Sequence, residues 1–373
     1  MILRDVLKLL IKDLNKRKAL IIMGSQQVGK TTLLQTLSKD LENVLWLTGD
    51  ELDTQKMFES PTITRLKAEF AGVKYLIVDE AQRLPNVGLG LKLITDHLQH
   101  IQLLVTGSSA FELSNQLNES LMGRTFEYQL YPVSFSEMAN YHTFRIEKQL
   151  LNYRLIYGYY PDVVMHPEDA KKILQNLVQN FLYKDMLLIE GVKKPDKIVK
   201  LLQALAFQIG NLVSYNELSR LTGINIATVE KYITMLEQSF VLFRLNSFSR
   251  NLRNELSKSR KIYFYDTGIR NALIGNFSAI ETRTDTGALW ENFLIAERLK
   301  MLNNSERWAQ RFFWRTTEQQ EVDYVEDEDG MLRAFEFKWN KASRAKICKT
   351  FSKAYPTAEV SVITPENYEI FII

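Results

Sequence analysis

A multidomain α/β protein is what the sequence predicts, and three features predict it. At 373 residues the chain is longer than the ~250–300 residues at which one hydrophobic core stops growing. In the N-terminal third, short apolar runs (ALIIM at 19–23, YLIVD at 75–79, IQLLV at 101–105) alternate with helical patterns, as expected of a parallel sheet covered by helices. Toward the C-terminus a helical pattern is followed by two alternating strands joined at Asp329-Gly330, then a helix and a further strand.

Composition narrows the class. With 46% hydrophobic and 24% charged residues the chain is neither disordered nor fibrous. A formal net charge of +3 is too small for whole-surface attraction to nucleic acid, so any such footprint is expected to be local. The single cysteine, Cys348, rules out an internal disulfide and a cysteine-based zinc site, and the four histidines lack metal-ligand spacing. A reducing, cytoplasmic setting fits this best. The opening MILRDVLKLLIKDLNKRK carries apolar residues at 2, 3, 6, 7, 10 and 14 with charges between them, which predicts an amphipathic helix and not a signal peptide. No run approaches about 18 apolar residues, so no membrane span is expected.

The run Ala19–Met23 leads into Gly24-Ser25-Gln26-Gln27-Val28-Gly29-Lys30-Thr31-Thr32 and an apolar helix, a P-loop in the context it requires. The glycines let successive N–H groups turn inward around phosphates, and the helix N-terminus adds the positive end of its dipole. Lys30 reaches the outer phosphates and Thr31 offers a hydroxyl to magnesium, so ATP and Mg2+ are the expected cofactors. The next apolar strand ends in Asp79-Glu80: one carboxylate to hold magnesium, the other to orient and deprotonate the attacking water. A third strand ends in Thr106-Gly107-Ser108, where a polar side chain either senses the γ-phosphate or caps the following helix.

With GSQQVGKTTLL, LIVDEAQ, TGSSAFEL and LMGRTFEYQLYPVSFSEM in this order, the chain resembles an AAA-type ATPase family found widely in bacteria and archaea and related to the signal-transducing P-loop ATPases. The resemblance continues through GYYPDVV, KIYFYDTGIRNAL, LWENFLIAE and EVDYV…FEFK, nearly the whole chain, and implies a C-terminal region known only as a domain of unknown function. Where that family usually has arginine in its loop this chain has Gln26, so a contact made by that arginine is not expected here. The family's Gly-Arg pair is matched by Gly123-Arg124, which implies that Arg124 stabilises charge on the transferred phosphoryl group of its own or a neighbouring subunit. The alternative is an exposed arginine near a helix end. These readings divide the chain into a P-loop ATPase core (1–135), a helical connector (136–200), a winged-helix domain (201–278) and a C-terminal α/β domain (279–373).

The connector is rich in tyrosine (YRLIYGYYPDVV), read as core. VSYNELSRLTGINIATVEKYITMLEQ has the form of a helix-turn-helix, with Ser214 and Glu217 as a capping box and Gly223 at the turn. The strands FVLFRLNSF and KIYFYD complete a winged helix. Its basic wing holds Arg250, Arg253, Lys258 and Arg260, which with Lys231 would contact duplex phosphates. Signal-transducing ATPases also use this module as a packing arm, so both roles stay open.

GALWENFLIAERLKML is read as an amphipathic helix carrying Glu291. In EVDYVEDEDGMLRAFEFKW, residues 321–339, pairing of the two strands puts Asp323 on one and Glu336 and Lys338 on one face of the other, with the acidic run 326–329 as a solvated turn. The element order resembles the restriction-endonuclease-like fold of PD-(D/E)xK nucleases. That resemblance implies that Glu291, Asp323, Glu336 and Lys338 converge, the carboxylates holding magnesium and the lysine steadying developing charge. A hairpin with a salt bridge is the alternative. The preferred function is an ATP-driven, DNA-processing enzyme that cuts or grips its substrate. A nucleotide-controlled switch whose C-terminal domain binds a protein partner without cleavage is the second reading, and a transcriptional regulator, which leaves the four C-terminal residues unexplained, the third. DNA is the expected partner, and a homo-oligomer is left open.

Overall fold

The computed structural model describes residues 1–108, 121–180, 195–249, 259–340 and 348–373. They form two compact units, residues 1–131 with 238–240, and residues 132–237 with 241–373. Among the described residues no helix is long and apolar enough to cross a membrane.

In the first unit β1 (Ala19–Met23), β2 (Val44–Thr48), β3 (Tyr75–Asp79), β4 (Gln102–Gly107) and β5 (Thr125–Gln129) make a parallel sheet in the order β2-β3-β4-β1-β5. β1 and β4 are buried along their whole length, as strands covered on both faces must be. Leu33, Leu34 and Leu37 of the helix Lys30–Ser38, with Val6 and Leu10 of the helix Val6–Asp13, pack on Leu20, Ile22, Ile77 and Leu104. Each such aliphatic side chain contributes ~1.5–3 kcal/mol when buried. Because β4 lies between β1 and β3, the tip of β4 reaches both the loop after β1 and the carboxylates ending β3.

In the second unit β6 (Leu242–Ser247), β7 (Arg260–Phe264), β8 (Gln310–Arg315), β9 (Glu321–Glu328), β10 (Met331–Phe337) and β11 (Glu359–Ile363) make one sheet in the order β11-β10-β9-β8-β6-β7. The sheet therefore contains strands from both sides of the expected boundary at 278/279. β6, read from sequence as part of a wing, pairs in parallel with β8 through Asn246 with Phe312 and Ser247 with Phe313. Only one edge of β6 is taken by β7, and joining β8 satisfies backbone groups on the other while Leu242 and Leu245 are buried. The expected connector, 136–200, falls within the same compact unit. Its described helices, from Phe135–Tyr141 to Ala170–Asn180, belong to this unit, and Tyr159 and Tyr160 are buried in it.

Three local expectations change. The helix Thr286–Asn304 is not amphipathic but buried around most of its circumference, and its charges are paired internally. Arg298 makes two bonds to Glu326 (2.7 and 2.6 Å), and Lys300 reaches Glu297 at 2.7 Å. Glu326 is accordingly a buried partner and not part of a solvated turn; the turn is Asp329-Gly330, at φ 53° and 85°. The helices Tyr215–Thr222 and Ile226–Gln238 meet at Gly223 (φ 66°), and Ser214 Oγ accepts the Glu217 N–H at 3.4 Å. The reciprocal half of the capping box is replaced, because the Glu217 carboxylate accepts from Gln208 at 3.3 Å.

Candidate nucleotide site and C-terminal carboxylate cluster

The P-loop is built so that only glycine fits at its base. A Cβ on Gly24 would lie 2.2 Å from the Leu130 carbonyl oxygen, and Gly29 sits at φ 96°. Lys30 is buried and donates to the carbonyls of Gly24 and Ser25, both at 2.9 Å, so its ammonium is held at the loop. Ser25 and Val28 are buried, while Gln26 is half-buried and Gln27 and Thr32 are exposed. Thr31 Oγ1 donates to Asp79 Oδ2 at 2.8 Å.

Thr106 is fully buried behind this pair. Its hydroxyl donates to Asp79 Oδ1 and accepts the Glu80 N–H at 3.0 Å. That placement corrects the expectation of a γ-phosphate sensor at Thr106, which instead orients both acidic residues. Ser108 is the polar group at the strand tip. It is tied to Gln82, whose Nε2 donates to Ser108 Oγ at 2.7 Å and to Glu80 Oε2 at 2.5 Å, while Ser108 N–H donates back to Gln82 Oε1 at 3.3 Å. Glu80 itself occupies left-handed backbone space at φ 51°, a conformation that costs a non-glycine residue ~1–3 kcal/mol and persists where the surroundings impose it.

Two residues of this site escaped the sequence reading. Gln82 stands in the quoted LIVDEAQ, but its role depends on the neighbouring strand. Arg4 donates to the Val28 carbonyl at 2.9 Å and the Tyr131 carbonyl at 2.6 Å, bracing the loop from the chain's first residues, and nothing in its local sequence signals this. Arg124 lies at the end of β1 remote from the P-loop of its own chain. Its carbonyl accepts the Ala19 N–H at the beginning of β1, whereas the P-loop follows the end of that strand, roughly 13 Å away at ~3.3 Å per residue. Its guanidinium pairs with Asp96 at 2.6 Å, so it does not serve the P-loop of its own chain.

A magnesium ion suits the first site. Thr31 and Asp79 supply hard oxygen donors, and Mg2+ characteristically takes one or two protein ligands with phosphates and water completing the shell.

The second unit brings Glu291, Asp323, Glu336 and Lys338 together. Tyr324 pairs with Phe335, which sets Asp323 beside Glu336, and Asp323 Oδ2 accepts the Phe337 N–H at 2.8 Å. Lys338 Nζ donates to Glu336 Oε1 at 2.6 Å. Two further residues from β7 join them. Lys261, only 1% exposed, lies 3.0 Å from Glu291 Oε1 and 2.5 Å from Glu321 Oε1, and Tyr263 also donates to Glu291 Oε1. Glu321 Oε2 in turn holds Arg315 at 2.8 Å.

Electrostatics follow from this crowding. Burial, with Asp323 adding to it against the pull of Lys261, pushes the Glu291 carboxyl up to about 7. Burial also raises Asp323, and burial followed by the charge of Asp323 raises Glu336. Lys261 ends above its ordinary value, because Glu291 and Glu321 together outweigh the burial that would lower it. A divalent ion does not fit the cluster as arranged. Among the described residues no three His, Cys, Asp or Glu side chains are disposed to hold a metal, and Glu336 Oε2 is the cluster's buried oxygen without a partner.

Of the basic residues expected to meet DNA, Arg250, Arg253 and Lys258 lie outside the described residues. Lys231 is exposed. Arg260 stacks on Tyr215 (4.3 Å to the ring centre) and lies 3.9 Å from Glu230, so its charge is partly used within the fold.

Residues 16–139 match the AAA domain family, residues 148–279 match a domain of unknown function (DUF8612), and residues 286–371 match another (DUF4143). Two curated relatives are an uncharacterized Mycobacterium tuberculosis protein, 26% identical over 374 residues (98% of this chain, 80% of that protein), and an uncharacterized Methanocaldococcus jannaschii protein, 23% identical over 362 residues (90% and 78%). Among solved structures, the Walker-type ATPase of Pyrococcus abyssi is similar with a TM-score of 0.52 at 14% identity, covering 73% of this chain and 96% of that one. Geometry and comparisons together support a P-loop ATPase fold in the N-terminal part of the chain, followed by regions matched to domains of unknown function.

Proposed function

We propose that the chain hydrolyses ATP and uses the nucleotide cycle to control a C-terminal site that grips DNA. The observation that carries the ATPase reading is the continuous network from Thr31 through Asp79 and Thr106 to Glu80, Gln82 and Ser108. In it Lys30 and the loop N–H groups take the outer phosphates, and Glu80 orients the attacking water and accepts its proton. Gln82 fixes the Glu80 carboxylate and links it to Ser108, so a change at the strand tip reaches the general base. Magnesium, when bound through Thr31 and Asp79, would neutralise phosphate charge.

For DNA, the support is the nuclease-like set Glu291, Asp323, Glu336 and Lys338 and the exposed Lys231. Gripping is preferred to cleavage because two of the three carboxylates that would hold magnesium are already engaged, Glu291 by Lys261 and Tyr263 and Glu336 by Lys338. That same observation favours the second reading, a switch with a protein partner. Incubation of the full chain with labelled duplex, branched and single-stranded DNA, with Mg2+ and with or without ATP, separates these readings. ATP-dependent retention of intact DNA is expected; nicking restores the nuclease reading, and turnover without any DNA binding leaves the switch.

A further inference from the structure

We propose that Lys261 is the resident cation of the C-terminal cluster, its tethered ammonium standing between Glu291 and Glu321 where a divalent ion would otherwise be drawn. The inference concerns the placement of these side chains and rests on neither ATP turnover nor DNA.

Three observations converge on it. Lys261 enters from β7, a strand outside the hairpin and helix that carry the other members, and its side chain is 1% exposed, so the charge is locked in place. It is shared by two carboxylates, at 3.0 Å from Glu291 and 2.5 Å from Glu321, which is a bridging position. The remaining donors add to this: the neutral phenol of Tyr263 on Glu291, Arg315 on Glu321, and Lys338 on Glu336, while Asp323 takes the Phe337 N–H. An ammonium held this way offsets carboxylate repulsion without entropy of capture, whereas a metal entering here must first strip Glu291 and Glu321 of it.

The test is Mn2+ titration of the nucleotide-free full chain, followed by electron paramagnetic resonance. The wild type should show no Mn2+ site that Asp323→Asn removes; such a site in the wild type would overturn the proposal. Lys261→Ala should gain one, binding at least about 10-fold more tightly than any wild-type site, and it should vanish in Lys261→Ala/Asp323→Asn. A folded Lys261→Ala without that gain would overturn it too. If Lys261→Ala does not fold, Lys261→Gln, which deletes the charge but keeps a polar side chain of similar length, is read in its place, with gain or no gain carrying the same meaning. No arm uses ATP or DNA, so failure here leaves the proposed ATPase standing.

Discussion

Asp79 in the first unit and Glu291 in the second are both mostly buried carboxylates that sequence assigns to magnesium, yet they are held by different chemistry. Asp79 receives hydroxyls from Thr31 and Thr106. Glu291 receives an ammonium and a phenol from Lys261 and Tyr263. Hydroxyl donors are neutral, so the charge of Asp79 stays available, and a cation can replace the Thr31–Asp79 hydrogen bond without leaving an ion stranded. An ammonium cancels the charge it touches. The lesson is that an acidic pattern specifies a cation, and the surrounding donors decide whether that cation is a metal or a side chain.

The contrast can be broken first at the P-loop, where the effects are largest. Lys30→Ala should abolish tight ATP binding, measured with a fluorescent analogue, while Glu80→Gln should keep binding and lower phosphate release by about 100-fold or more. Equal nucleotide affinity in wild type and Lys30→Ala would remove the basis of the assignment. Next comes the layer behind Asp79. Thr106→Val keeps the shape but deletes the hydroxyl, and it should weaken Mg2+-dependent nucleotide binding on the order of 10-fold; an unchanged Mg2+ dependence would show that Asp79 needs no orienting group.

A smaller effect sharpens the other side. Because the folded pKa of Glu291 is raised to about 7, the folded state binds more protons than the unfolded state between its ordinary value and that figure. The contribution of this one group to stability should therefore be full below that window and fall as pH rises through it, by at most about 1.4 kcal/mol per pH unit. Glu291→Gln should flatten the profile in urea denaturation, and an unaltered slope would assign the pH dependence elsewhere. Smallest of all is Glu328→Gln. Arg307 and Arg333 both lie 2.6 Å from Glu328, but this is a surface network, so the loss expected in thermal melts is below about 1 kcal/mol.

How much could be read in advance followed from distance along the chain. The loop from Gly24 to Thr31 is contiguous, and its glycines declare their purpose through spacing alone. Thr106 was visible as a polar strand end, but its direction toward Asp79 depends on β4 lying between β1 and β3. Arg124 could be placed next to a strand, not at which end of the sheet. Lys261 was hidden more deeply. Thirty residues separate it from Glu291, and its alternating pattern reads equally well as a wing. Only the pairing of β6 with β8 moves β7 into the sheet that carries Asp323 and Glu336. Periodicity records which face of a strand is buried and says nothing of which neighbour buries it.

That pairing also constrains how the protein is made. Translation delivers β6 and β7 before the helix Thr286–Asn304 and before β8, so a nascent chain holds Lys261 when neither Glu291 nor Glu321 yet exists. A buried ammonium without its counter-charges costs several kcal/mol, so the hairpin cannot settle into its final core until the last quarter of the protein has emerged. A chain stopped at residue 279, where one family match ends, would leave the β8-facing edge of β6 bare and Lys261 unpaired. Such a fragment would present a bare strand edge, a template for aggregation that the pairing with β8 removes.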